Sequence, residues 1–126
     1  MADPNQHVVA IVDDDHAVRS SLSFLLEVIG HPVQAFASAA EFLKADIRRI
    51  GCLILDHHMP EMTGLHLAER LRAEGCLIPI MLVTGSPSPA IAARAGQLRI
   101  YKVLEKPPAE ADLIEFIGSS LRRPWG

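Results

Sequence analysis

"CLILDHHMPEMTG", residues 52–64, runs from an apolar stretch into an acid, two histidines, a Met-Pro turn and a glycine. An Asp beside two His is a donor set that suits a transition metal. The other reading makes Cys52–Leu55 a buried strand with Asp56 at its carboxyl end, and lets Pro60 and Gly64 shape a loop that opens the next helix. The choice between them depends on what the rest of the chain does.

Outward from this stretch the chain alternates. "VVAIV" (8–12) is a short β-branched run followed by "DDD", and "PVQAF" (32–36), "PIMLV" (79–83) and "IYKVL" (100–104) are further strand candidates. Helical spacing fills the gaps. Val18, Leu22, Leu25, Leu26 and Ile29 share one face, with Gly30 where a helix stops. Ser38 with Glu41 three residues on reads as a capping box. Leu65, Ala68, Leu71 and Arg72 are in register before Gly75, and Leu113, Ile114, Ile117 and Leu121 line a last helix over 109–121. "SPSPAIAARAGQLR" (86–99), with two prolines and Gly96, predicts a short or irregular helix. Five strand–helix units with near-continuous apolar strands predict an α/β doubly wound parallel sheet covered on both faces.

The bulk numbers agree with one domain: 126 residues, 49% hydrophobic, net charge −3. No Lys/Arg run supports phosphate-driven nucleic-acid binding, and no apolar run approaches the ~18 residues of a membrane span. "MADPNQH" lacks a secretory pattern, so a cytoplasmic location is expected. Cys52 and Cys76 read as separate reduced thiols. The domain is expected over residues 7–121, with residues 1–6 and 122–126 as flexible ends.

In an open α/β sheet, ligands bind at the carboxyl ends of the strands. There stand Asp13, Asp14 and Asp15 after strand one, Asp56 after strand three, Thr84 after strand four and Lys106 after strand five. If strands one and three are neighbours, Asp13, Asp14 and Asp56 converge, and their mutual repulsion calls for a cation. All-oxygen ligands favour Mg²⁺. A lysine and a hydroxyl at the same edge suit a phosphoryl group.

The set "VDDD" (12–15), "LDHHMPEMTG" (55–64), "VTG" (83–85) and "EKP" (105–107) resembles the response-regulator receiver domain of two-component signalling, in wording nearest to nitrogen-fixation and nodulation regulators. The resemblance covers residues 7–121. It implies a flavodoxin-like fold of five parallel strands in order 2-1-3-4-5 with five helices. It implies that Asp56 accepts a phosphoryl group, and that Asp14 and Asp56 hold Mg²⁺ directly, Asp13 mainly through water and His58 through its backbone carbonyl. Thr84 would be the switch hydroxyl and Lys106 the contact to the acyl phosphate, with a cis Lys106–Pro107 bond. His57 would be a variable loop position, and the His58 imidazole would point towards the pocket mouth. Implied partners are a sensor histidine kinase or histidine phosphotransfer protein, an unspecified output partner or domain, and a phosphorylation-dependent dimer; neither direct nucleic-acid binding nor a membrane is implied.

Three positions depart from the family pattern. Val103 stands where an aromatic switch residue is usual, with Tyr101 two residues earlier and expected on the same face. "GQLRI" replaces the usual Gly-Ala, and "KPP" replaces K-P-[FL]. Two other readings use the same residues. One is a phosphorylation-independent interaction module that keeps the fold. The other is a haloacid-dehalogenase-like phosphatase built on the D-x-D of Asp13 and Asp15, although Ala17 departs from that motif and Asp56 would be left without a role.

Overall fold

The computed structural model describes residues 5–126. Five strands alternate with five helices: β1 (Val8–Val12), α1 (His16–Val28), β2 (Val33–Phe36), α2 (Ala39–Lys44), β3 (Ile50–Asp56), α3 (Gly64–Ala73), β4 (Ile80–Thr84), α4 (Pro89–Gln97), β5 (Lys102–Glu105) and α5 (Glu110–Leu121). The strands form one parallel sheet in the order β2-β1-β3-β4-β5. The expected α/β doubly wound architecture is therefore present, with β3 at its centre and buried along its whole length.

Alternation along each strand divides the interior in two. Val9, Ile11, Cys52, Ile54, Met81 and Val83 face α1 and α5. Ala10, Val12, Leu53, Leu55, Ile80 and Leu82 face α2, α3 and α4. A run such as "CLIL" is apolar throughout because both faces of the strand are covered.

The helices start where their caps dictate. Asp15 accepts from the Ala17 and Val18 amides, Ser38 from Glu41, Thr63 from His66, and Ser88 from Ile91. α4 is short, as expected, but regular. Its proline sits at the helix start, where the missing N–H costs no intrahelical bond. Gly30 and Gly75 end α1 and α3 at φ values of 100° and 79°, which glycine adopts freely. Gly64 has another cause. A Cβ there would lie 2.5 Å from the Asp56 carbonyl oxygen, so α3 could not press against the end of β3 with any larger residue.

Two features were not expected. The half-buried Arg72 guanidinium donates to the carbonyls of Cys76, Ile78 and Leu98, joining the end of α3 to the turn after α4. The chain ends also meet. Gln6 is buried, the Trp125 amide donates to its Oε1 at 2.8 Å, and the Trp125 indole donates to the Ile50 carbonyl at 2.7 Å. Residues 6 and 125 are thus packed where flexible ends were expected; residues 1–4 of that expectation lie outside the described residues.

The same-face expectation for Tyr101 fails. β5 begins only at Lys102, so the alternation does not extend back to Tyr101. Its ring packs on Phe116 and its hydroxyl donates to Glu115, both of α5, whereas Val103 packs on the opposite side of the sheet.

Candidate functional site

Sheet register brings four strand ends to one edge. Val12 pairs with Leu55, Asp56 with Val83, and Thr84 with Glu105. Asp13, Asp56, Thr84 and Lys106 follow from that register and meet there. Asp13 is 4% exposed, Asp56 3% and Thr84 fully buried, so three polar groups are withdrawn from water at the sheet edge.

Lys106 bridges the acids. Its Nζ lies 2.8 Å from Asp56 Oδ1 and 3.4 Å from Asp13 Oδ2. Burial by itself would lower the ammonium pKa, but the Asp56 hydrogen bond and the charges of Asp13 and Asp56 outweigh it and hold the pKa above its ordinary value. Asp56 has the opposite balance. Burial, reinforced by the Asp13 charge, pushes its carboxyl up, and Lys106 and the His58 amide offset only part of this. The Lys106–Pro107 bond is cis, as the resemblance implies.

Asp13 is fixed from two sides. The Asp15 amide donates to its Oδ1 at 2.8 Å, and Arg19 donates to its backbone carbonyl at 2.8 Å. Asp14 stands exposed beside it. Carboxylate oxygens of Asp13, Asp14 and Asp56 lie within 4.8 Å of one another. One lysine does not balance three such acids, and a hard divalent cation with oxygen ligands fits the donor set. Asp15, the second acid of the D-x-D pattern, is turned away as the α1 cap, so the phosphatase arrangement is not assembled.

The two histidines divide. His57 Nδ1 accepts from the Leu65 amide at 3.4 Å, and burial, with the neighbouring His58 and His66, lowers the His57 pKa. The His58 amide donates to Asp56 Oδ1. His58 is exposed, and its imidazole, expected towards the pocket mouth, reaches across to the end of β4. His58 Nε2 lies 2.7 Å from Thr84 Oγ1, which also accepts from the Ser86 amide at 3.0 Å. This link joins loops after β3 and β4, and nothing in the linear spacing announced it. Arg19 was also missed, because its side chain reaches a backbone carbonyl six residues back, a contact that helical side-chain spacing does not signal.

A family model for the response regulator receiver domain matches residues 9–118. The transcriptional regulatory protein FixJ of Azorhizobium caulinodans is 39% identical over 121 residues, covering 95% of this chain and 57% of that protein. The response regulator protein TmoT of Ectopseudomonas mendocina is 40% identical over 119 residues, covering 93% of this chain and 54% of its own. The chain thus spans about half the length of these relatives. Among solved structures, FixJ-N superposes with a TM-score of 0.83 at 34% identity, covering 98% of this chain and 97% of that one. The response regulator StyR superposes at 0.84 with 36% identity, covering 91% and 59%.

Proposed function

The chain belongs to the response regulator receiver domain family, and from that premise we propose that Asp56 is its phosphoacceptor. The single observation that carries the assignment is the Lys106–Asp56 contact of 2.8 Å inside the acidic edge. It supports a buried carboxylate whose charge is held by a lysine that can follow a phosphoryl group.

In this reading an Asp56 oxygen attacks the phosphorus of a phosphohistidine. The P–N bond breaks, the electron pair leaves with the imidazole, and an aspartyl phosphate remains. Asp13, Asp14, Asp56 and the His58 backbone carbonyl would hold Mg²⁺, which when bound neutralises the acids and the incoming phosphoryl oxygens. Lys106 transfers its hydrogen bond from the carboxylate to the phosphoryl group. Thr84 turns its hydroxyl to the same group, and for that it must leave His58. A partner that prefers the resulting loop arrangement then shifts the population.

The phosphoryl donor is a sensor histidine kinase or a histidine phosphotransfer protein, which carries with it a cytoplasmic location. The output is a partner or a domain whose binding follows phosphorylation. A second reading, a phosphorylation-independent interaction module, draws on one observation: Tyr101 is held by Glu115 of α5, and Val103 offers no aromatic ring to couple Thr84 to the α4–β5 face. The same observation weighs against a phosphorylation-dependent dimer through that face.

Acetyl phosphate with Mg²⁺ separates the two. The phosphoacceptor reading expects one phosphoryl group per chain in the wild type and none in Asp56→Asn. Equal labelling of both, or of neither, would overturn it.

A further inference from the structure

Between α1 and α5 lies a cavity of about 640 Å³, within the size range of small-molecule sites. Its deep lining, Ile11, Ile54, Val83 and Leu113, is almost wholly buried, and its accessible apolar surface includes that of the half-buried Val18, Leu22, Leu25 and Pro108. On the α1 wall, Val18, Leu22 and Leu25 belong to the helix's apolar stripe yet are only half-buried; Leu26 is the one residue that α1 buries. By contrast α5 buries Leu113, Phe116 and Ile117. The inner face of α1 therefore packs on the core through Leu22 and Leu25 and still leaves part of its apolar surface accessible to a guest.

One end of the cavity is polar. Asp13 and Asp56 meet Lys106 there, Asp14 stands beside Asp13, Arg19 donates to the Asp13 carbonyl, and the exposed Glu110 lies on the rim, so acids outnumber bases. An apolar trough that ends in net negative charge is complementary to a molecule with an apolar body and a cationic head. We propose that this cavity binds an amphiphilic organic cation, its body between α1 and α5 and its ammonium or amidinium head at Asp13 and Asp56. The carboxylates act here as fixed charges, so the site does not depend on phosphoryl chemistry. Such a guest and a divalent cation would exclude one another, and the coupling would be reciprocal.

The test is an amide NMR titration with n-octylammonium, n-butylammonium and octanoate, each below its micelle concentration. Shifts are expected along α1 and at the ends of β1 and β3. Octylammonium should bind at least about tenfold more tightly than butylammonium, because four more methylenes leave water. Octanoate should give no saturable shift, and saturating Mg²⁺ should weaken octylammonium at least about tenfold. Ser21→Phe, on an exposed α1 position at the cavity rim, should weaken octylammonium by a similar factor while acetyl phosphate still labels the protein. Ala17→Leu provides a second filling variant at a helical position that favours leucine. Octanoate binding as tightly, octylammonium binding insensitive to Mg²⁺, or unchanged affinity in both folded variants would overturn the proposal.

Discussion

His58 Nε2 and Thr84 Oγ1 stand 2.7 Å apart, closer than Lys106 Nζ comes to Asp56 or Asp13, and they tie the loop after β3 to the loop after β4. The hydroxyl that would have to reach a phosphoryl group is thus held by a neighbouring imidazole. One hydrogen bond of this kind is worth about 1 kcal/mol net. His58→Ala should therefore raise the switched-to-unswitched ratio of the beryllofluoride-treated protein about fivefold. The Ser86 amide, which donates to the same hydroxyl, is the natural NMR reporter. An unchanged Ser86 population in the variant would show that the contact does not restrain Thr84.

Asp56→Asn should make the protein more stable at neutral pH. Burial raises the Asp56 pKa in the fold, so the native state binds that proton more tightly than the unfolded chain does. The stability this lends is present below the unfolded value and is lost as pH rises through the folded one. Asparagine carries no such loss. Thermal unfolding at pH 7 should show a gain of about 1 kcal/mol, part of it offset by the lost Lys106 partner. The gain should shrink towards pH 4, and a variant less stable than wild type at pH 7 would contradict the balance drawn for this carboxyl.

Mg²⁺ should stabilise the native state, because the unfolded chain does not gather Asp13, Asp14 and Asp56. At one hundred times its dissociation constant the gain is about 2.7 kcal/mol. Asp14 is exposed, so Asp14→Ala should cost little without Mg²⁺ and remove most of the Mg²⁺-dependent rise in unfolding temperature. A rise of the same size in the variant would place the ion elsewhere.

Cys52 should be silent to thiol reagents until the protein unfolds. It is fully buried, and burial pushes its pKa up to about 12 from 9.0. The folded thiol holds its proton through a range in which the unfolded one has lost it, so stability should fall between about pH 9 and 12. Cys52→Ala should flatten that fall, as read by chemical unfolding at several pH values. Parallel pH profiles would show that Cys52 contributes nothing to it.

Much of this was legible because local signals agreed. The cap at Ser38, the glycines at 30 and 75 and the apolar strands all specify the same alternation. Once the strand order is set, register alone brings Asp13, Asp56, Thr84 and Lys106 together. What could not be read depends on side chains crossing between distant segments. Arg72 reaches the turn after α4, Trp125 reaches Gln6 and Ile50, and His58 turns onto Thr84, each across 26 residues or more. Tyr101 misled for a different reason: period-two alternation holds only inside a strand, and that residue lies just outside one.

The most direct test of the account is chemical mapping of the labelled position. The protein is incubated with acetyl phosphate and Mg²⁺, treated with borohydride, and digested for mass spectrometry. Reduction turns an aspartyl phosphate into homoserine. The account expects homoserine at position 56, at no other aspartate, and only when Mg²⁺ was present. Homoserine at position 13 or 14, or none at 56 in a folded protein that carries a phosphoryl group, would contradict it.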